Sequence, residues 1–522
     1  MKRCKIMNSY QNTLCTHRWG YSVIDFGKNQ ARTCCRTKLN TEDVNQLADL
    51  KHDYFLNTKY QLERRLEMLQ GIRHKSCETC WLLEDQNFQS PRRYGLPSPW
   101  KVKKGILINT NTNEETPIEN ITIEHPVLRS HIPYMLEVNL SNHCDMSCLY
   151  CSPMFSSTWA SSNTDLWAKA INPDWNFGPD DAKKLKLEVN DQNLEDFNSA
   201  FWDWLKNIFH SYAQEEIATG KILQGFRLGI LGGEPVNNPR LPQFIDNVCD
   251  IIESIPFEQR PHSGYWDFEN NKPFHPHKPL IWFVTNGNTR ESHFKKFIDR
   301  LPRLCELFTV EISLSIESYK QRAEYIRMNL DWDRFENNVR KYLSLDIPTL
   351  QIGFQTSINN LCLSSMPDFL RWVVELHDTY KKPIFLKPNV VNDPDHYRVE
   401  MLPTSYMQYI LESIEILKTR DPKGIYDPYG TWPKYSTFLA TLKCEQKGDW
   451  KQYEKLRDFI KGMDERRKLD VRDVFPEMWE FWNILQGITP EEWEQIKQAQ
   501  EQGFDLEDDV DEYALEQGYY FR

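Results

Sequence analysis

The chain has 522 residues and a mass of 62.1 kDa, more than one ordinary compact domain holds, so at least two folded units are expected. Hydrophobic residues make up 40%, aromatics 13% and charged residues 26%, a globular composition that excludes a disordered or fibrous chain. With 63 Lys and Arg against 75 Asp and Glu, the net charge of −12 argues against a surface built to neutralise phosphates, and no nucleic acid is expected as a partner.

The start, Met1 to Lys5, leads into polar sequence, and no run of 18 apolar residues occurs, so the chain is expected to be unexported, cytoplasmic and without a membrane partner. In a reducing compartment its 13 cysteines are better read as ligands, catalysts or core fillers than as disulfides. Six of them fall before residue 95: Cys4, then Cys15 followed by Trp19, then Cys34 and Cys35, then a helical run with Leu62, Leu66 and Leu69, then Cys77 and Cys80. Four thiolates from such separated segments can close around one metal, zinc or iron. Glu84 and Ser90-Pro-Arg92 follow as a polar segment that reads as a linker.

Tyr134 to Leu140 is a short apolar run expected as a buried strand, and Cys144, Cys148 and Cys151 sit in the loop after its carboxyl end. Chance would give roughly 0.008 such CxxxCxxC triplets in a chain with this cysteine content, so the spacing asks for a common ligand. No fourth cysteine or suitably spaced histidine follows Cys151, which leaves the coordination sphere open and suggests chemistry rather than a structural zinc.

Residues 154–192 form a long connection before a helical stretch from Asn193 to Gln214. Leu228 to Leu231 reads as a second strand running into Gly232-Gly233-Glu234-Pro235. A Pro- and His-rich loop at 256–279 contains His275-Pro-His277, read as surface polarity; both long connections could shape a pocket. Further strands are expected at Leu280 to Thr285, Phe308 to Ser315, Leu350 to Ile358 and Pro383 to Val390, with a helix from Pro367 to Leu376 before the last. Six strands alternating with helices predict an α/β fold with a parallel sheet. After Pro403 amphipathic helices are expected over Ser405–Lys418, Asp449–Met463, Val474–Leu485 and from Thr489, with Trp479, Trp482 and Trp493 as their packing face and an acidic end at 506–512. Cys249, Cys305, Cys362 and Cys444, with Cys4 and Cys34, read as small buried hydrophobes.

Cys144-x3-Cys148-x2-Cys151 after a first strand, followed in order by the Gly-Gly-Glu-Pro turn, resembles the radical S-adenosylmethionine (SAM) enzymes. The resemblance spans about residues 134–395. It implies a partial (β/α)6 barrel over residues 130–400. It also implies a [4Fe-4S] cluster on Cys144, Cys148 and Cys151, whose open iron chelates SAM. One electron then cleaves the sulfonium to a 5′-deoxyadenosyl radical that abstracts hydrogen from substrate. Carried over residue by residue, Tyr150 lies beside adenine, and Gly232, Gly233 and Glu234 hold the SAM amino group. Asn286 ends the third strand. Ser315 and Glu317, the latter standing where the family commonly has aspartate, reach the ribose. Arg327 is the helical arginine that pairs with the SAM carboxylate, Asn359 or Asn360, of which Asn360 is taken, is available to the cofactor, and Val391 lies where backbone brackets adenine.

The amino-terminal segment, residues 1–95, is similar to SPASM and twitch auxiliary domains, although those usually follow the barrel. This implies an auxiliary iron–sulfur cluster on Cys15, Cys77, Cys80 and one of Cys34 and Cys35, of which Cys35 is taken; a four-cysteine zinc site is the alternative. Cys362, just past the fifth strand, is the cysteine best placed to donate a hydrogen atom. Residues 401–522 are expected as a helical extension. The implied substrate is a peptide or protein side chain, and the implied electron donor a flavodoxin or ferredoxin. Chemistry on a small molecule or nucleotide, or a non-catalytic zinc-binding interaction protein, are the other readings.

Overall fold

The computed structural model describes residues 13–27, 30–35, 45–46, 57–85, 90, 92, 100–109, 113–129, 133–162, 201–211, 225–263, 266–267, 272–273, 277–420 and 430–487. Cys4, His275, Trp493, the helix expected from Thr489, the acidic end and residues 163–200 lie outside them.

All six expected strands form. In chain order the strands of the main sheet are β1 (Tyr21–Asp25), β2 (Gln30–Thr33), β3 (Asn45–Gln46), β4 (Met135–Asn139), β5 (Arg227–Leu231), β6 (Leu280–Thr285), β7 (Thr309–Ser315), β8 (Leu350–Ile358) and β9 (Ile384–Val390). Their order across the sheet is β9-β8-β7-β6-β5-β4-β1-β2-β3. From β4 to β9 every neighbouring pair is parallel. Strands that are covered on both faces read as near-continuous apolar runs, and β7 is buried from Thr309 to Leu314 while β8 buries Ile352 and Phe354. The helices α2 (Leu241–Glu253), α3 (Glu291–Ile298), α4 (Leu301–Leu307), α5 (Lys320–Ile326), α6 (Trp332–Ser344) and α7 (Met366–Tyr380) fall between the strands from β5 onward, giving a mixed α/β chain with a mostly parallel central sheet. Of the stretch expected as a helix from Asn193 to Gln214, residues 201–211 are described and helical.

The amino-terminal segment is not set apart from this sheet. β1 pairs in parallel with β4, residue for residue from Tyr21 on Met135 to Asp25 on Asn139, and β2 and β3 continue the edge in antiparallel fashion. A second, smaller core lies beyond it. Leu62 and Leu69 of α1 (Lys59–Leu69) pack on Val102 and Leu107 of the three-stranded antiparallel sheet Trp100–Lys103, Ile106–Asn109 and Glu115–Pro117.

The carboxyl-terminal helices α8 (Met407–Arg420), α9 (Thr431–Leu439), α10 (Trp450–Arg467) and α11 (Trp479–Leu485) share one continuous core with the sheet. A capping box starts α10: Asp449 accepts from the Gln452 amide, and Gln452 accepts from the Asp449 amide. The helix then lies against the body, with Tyr453 Oη donating to Met401 O at 2.9 Å and Asp464 accepting from Tyr325 of α5 at 2.7 Å. Trp482 is buried as expected, but Trp479 is 47% exposed and takes no part in that packing face.

Candidate active site at the cysteine loop

The loop after β4 is pinned by hydroxyl groups. Thr158 Oγ1 donates to Cys144 O at 2.6 Å, Ser156 Oγ to Met146 O at 2.6 Å, and Trp159 Nε1 to Cys148 O at 2.9 Å. Cys148 is also held from the far side: Ser147–Cys148 pairs antiparallel with Arg327–Met328, and the Leu149 amide donates to Ile326 O at 2.9 Å. Cys144, Cys148 and Cys151 are half-buried. Burial pushes the Cys148 thiol up to about 12, against Arg327, Cys151 up to about 11, and Cys144 well above its ordinary value; neighbouring sulfurs add to the shift at Cys144 and Cys148. Thiols in such a pocket are protonated at neutral pH unless a cation draws them into the thiolate form, which is what a metal centre does. Among the described residues no three His, Cys, Asp or Glu side chains converge tightly enough for one ion. Three thiolates on one loop suit the separate corners of an iron–sulfur cube.

The Gly-Gly-Glu-Pro turn is packed directly on this loop. Gly232 and Gly233 take φ of +85° and +54°, and a Cβ on Gly233 would overlap the carbonyl of His143. The Glu234 amide donates to that same carbonyl at 2.6 Å. The Glu234 carboxylate, however, points inward. It accepts from the Val236 amide at 3.0 Å, from Thr285 Oγ1 at 2.6 Å and from the Asn286 amide at 2.5 Å. Through these three donors of its own chain it locks the turns after β5 and β6 together. Burial pushes it up to about 7, against the effect of those donors. Asn286 completes the link by donating to Asp145 Oδ1 at 2.9 Å, and Asn329 Nδ2 donates to Asp145 O at 3.1 Å. Asp145, inside the cysteine loop, is thus a positioning residue that its sequence context gave no reason to single out.

Two further expectations change. Arg327 is not on a helix: α5 ends at Ile326, and Arg327 belongs to the two-residue strand beside Cys148. Glu317 and Arg327, expected on ribose and carboxylate, bind each other, with Arg327 Nε 3.0 Å and Nη2 2.6 Å from the two carboxylate oxygens. Tyr150 Oη donates to Glu317 at 3.0 Å, the guanidinium lies 5.6 Å from the Tyr150 ring, and Arg327 Nη1 approaches Cys148 Sγ at 3.7 Å. Ser315 is half-buried at the end of β7, and Val391 is buried with its amide on Ile358 O. Asn360 is fully buried; its Nδ2 donates to His396 O, and its Oδ1 has no partner among the described residues. Cys362 is also fully buried, its thiol 3.3 Å from the Asn359 carbonyl, so the hydrogen donor expected there is turned into backbone rather than into an opening. Cys249, Cys305 and Cys444 are buried, as core cysteines should be.

Three of the amino-terminal cysteines, Cys15, Cys77 and Cys80, lie near enough to act on one another electrostatically, without converging on one point. Cys15 and Cys80 are buried and Cys77 half-buried. Burial, then the adjacent Cys77 and Cys80 sulfurs, push Cys15 up to about 12. Cys35 is not with them. It is exposed and reaches the Tyr21 hydroxyl, whereas Cys34, at φ +59°, lies on the side of Tyr134 that also faces Cys15. The expected linker after Glu84 is structural as well. Arg92 pairs with Glu84, stacks 4.4 Å over Trp81, and offers its amide to Cys80, while the Ser90 hydroxyl donates to Glu84.

No helix among the described residues is long and apolar enough to cross a membrane. Neither a family model nor a curated protein matches the chain. Among solved structures, Streptococcus suis SuiB bound to precursor peptide SuiA aligns over 72% of this chain and 73% of that one, at 11% identity and a TM-score of 0.27.

Proposed function

We propose that the chain is a radical SAM enzyme with an auxiliary iron–sulfur centre, acting on a peptide or protein side chain. One observation carries the reading: three half-buried cysteines of one open loop, at the carboxyl end of β4, are tied to the Gly-Gly-Glu-Pro turn through His143 O and to the turn after β6 through Asp145. Ligand sites of parallel α/β sheets lie at that end.

A [4Fe-4S] cluster with SAM, when bound, supplies one-electron cleavage of the sulfonium and hydrogen abstraction. The chain's own residues hold and shield that chemistry. Cys144, Cys148 and Cys151 supply the thiolates, and Gly232 and Gly233 let the second turn approach them. Arg327 sets a positive charge against Cys148, and Glu317 fixes the Tyr150 ring beside it. Trp159, stacked 5.9 Å from Phe459 of α10, closes one wall against water. A peptide substrate is preferred because auxiliary cysteine domains of this type accompany peptide-modifying barrels in the family the motifs resemble.

The test is anaerobic reconstitution with iron and sulfide, then assay of 5′-deoxyadenosine with dithionite as reductant. The full chain should form it, and a chain with Cys144, Cys148 and Cys151 changed to Ala should not. SAM cleavage that survives the triple replacement, or a chain that takes up no iron, overturns the reading.

A further inference from the structure

The short ladder that carries Cys148 cannot hold itself. Ser147–Cys148 and Arg327–Met328 form a two-stranded sheet of their own, apart from the main one, and so short a ribbon depends on what packs around it. Its Arg327 arm continues directly from α5, and the last two residues of that helix are both gripped. Ile326 O accepts from the Leu149 amide at 2.9 Å, inside the cysteine loop. Tyr325, buried beside it, is gripped by α10 of the carboxyl-terminal extension. Its Oη donates to Asp464 Oδ1 at 2.7 Å, its carbonyl accepts from Arg467 Nη1 at 2.8 Å, and the Arg467 guanidinium covers its ring at 4.2 Å. The two α10 residues are tied in turn: Arg467 Nη2 donates to Asp464 Oδ1 at 3.3 Å, and Asp464 Oδ2 accepts from the Val471 amide at 2.8 Å. A cation on a carbonyl of a helix's last turn stabilises that end. Here it fixes the residue two before Arg327.

The same helix reaches the same cysteine a second time. Phe459 of α10 stacks 5.9 Å from Trp159, whose Nε1 donates to Cys148 O at 2.9 Å. We propose that α10 is a brace for Cys148, with Asp464 and Arg467 as positioning residues that act through Tyr325 on the Arg327–Met328 strand; what the brace does for catalysis rests on the radical SAM reading above. It sets where Arg327 stands. With that it sets the guanidinium 3.7 Å from Cys148 Sγ and the pair with Glu317, which accepts from Tyr150. The helical extension thereby becomes part of the machinery around the cysteine loop.

The experiment compares changes on the full, reconstituted chain. Tyr325→Phe removes only the Oη that bonds Asp464, whereas Tyr453→Phe removes the Oη that ties the other end of α10 to Met401 O. Amide exchange is read by mass spectrometry over residues 147–149 and 327–328, and 5′-deoxyadenosine is measured per bound iron with dithionite as reductant. Tyr325→Phe is expected to speed exchange in both segments about fivefold, the net worth of one hydrogen bond, and to lower 5′-deoxyadenosine per iron severalfold. Arg467→Met, which frees the Tyr325 carbonyl, should act in the same direction. Asp464→Asn, which keeps an oxygen for Tyr325, should fall between Tyr325→Phe and the parent. Tyr453→Phe should match the parent in both readouts. Exchange that stays at the parent rate in Tyr325→Phe, or rises equally in Tyr453→Phe, overturns the brace and leaves the radical SAM reading standing. Faster exchange with unchanged 5′-deoxyadenosine per iron overturns its part in catalysis. A parent chain that forms no 5′-deoxyadenosine overturns the radical SAM reading, while the exchange contrast still decides the brace.

Discussion

Arg327 forks onto Glu317 beside the cysteine loop, both side chains almost sealed from solvent at 5% and 0% exposure. A buried pair costs most when one member is removed, because the other is left charged and unpaired. Glu317→Gln and Arg327→Met are each expected to lower stability by about 3 kcal/mol in urea denaturation, and the double variant by clearly less than the sum. Additive losses would mean that the two side chains do not depend on each other.

Gly233 is the point at which the second turn meets the cysteine loop. Gly233→Ala places a Cβ in the His143 carbonyl and forces a left-handed φ on a residue with a side chain. The backbone term alone is about 1–2 kcal/mol. The sheet does not depend on this contact, so the variant should remain folded by circular dichroism while iron bound at Cys144, Cys148 and Cys151 falls at least severalfold. Full loading would show that the contact is dispensable.

The six parallel strands could be read because each is an apolar run covered on both faces, and the cysteine loop because spacing survives any change of surroundings. β1 could not be read. Tyr21-Ser-Val-Ile-Asp25 is short, and its pairing with β4 joins residues more than a hundred positions apart. Glu234 was visible as a turn carboxylate, but its direction is set by Thr285 and Asn286, which arrive from the next strand. Arg327 followed helical periodicity in the sequence, yet Cys148 captures its backbone and ends the helix one residue early. Ser90 and Arg92 looked like a linker because polar residues usually stay in water. Only the partner Glu84, itself buried, makes their burial affordable.

His396 gives the fold a dependence on pH. It is 1% exposed, and burial holds it down to about 4 from an ordinary 6.5; Asp395 opposes the shift and Lys455 adds to it. The native state therefore binds fewer protons than the unfolded chain between those values. This contribution is present in full above pH 6.5 and is lost as pH falls through 4, at a total of about 3 kcal/mol. His396→Gln should flatten the pH dependence of unfolding over that window relative to the parent, as read by urea midpoints from pH 7 to 4. Parallel curves for the two proteins would rule the histidine out.

Cys34 and Cys35 follow the end of β2, the first half-buried and the second exposed. Tyr134, whose hydroxyl bonds His17 Nδ1 at 2.9 Å, senses both Cys15 and Cys34; Cys35 is exposed and bonds the Tyr21 hydroxyl, which Cys34 also affects. A fourth ligand has to reach a buried trio, and a cluster excludes water best when its ligands come from the covered face. In the chain that lacks Cys144, Cys148 and Cys151, Cys34→Ser should lose most of its iron and sulfide, and Cys35→Ser should keep them. The reverse pattern would put the fourth corner on the exposed side and require the end of β2 to turn over when the centre forms.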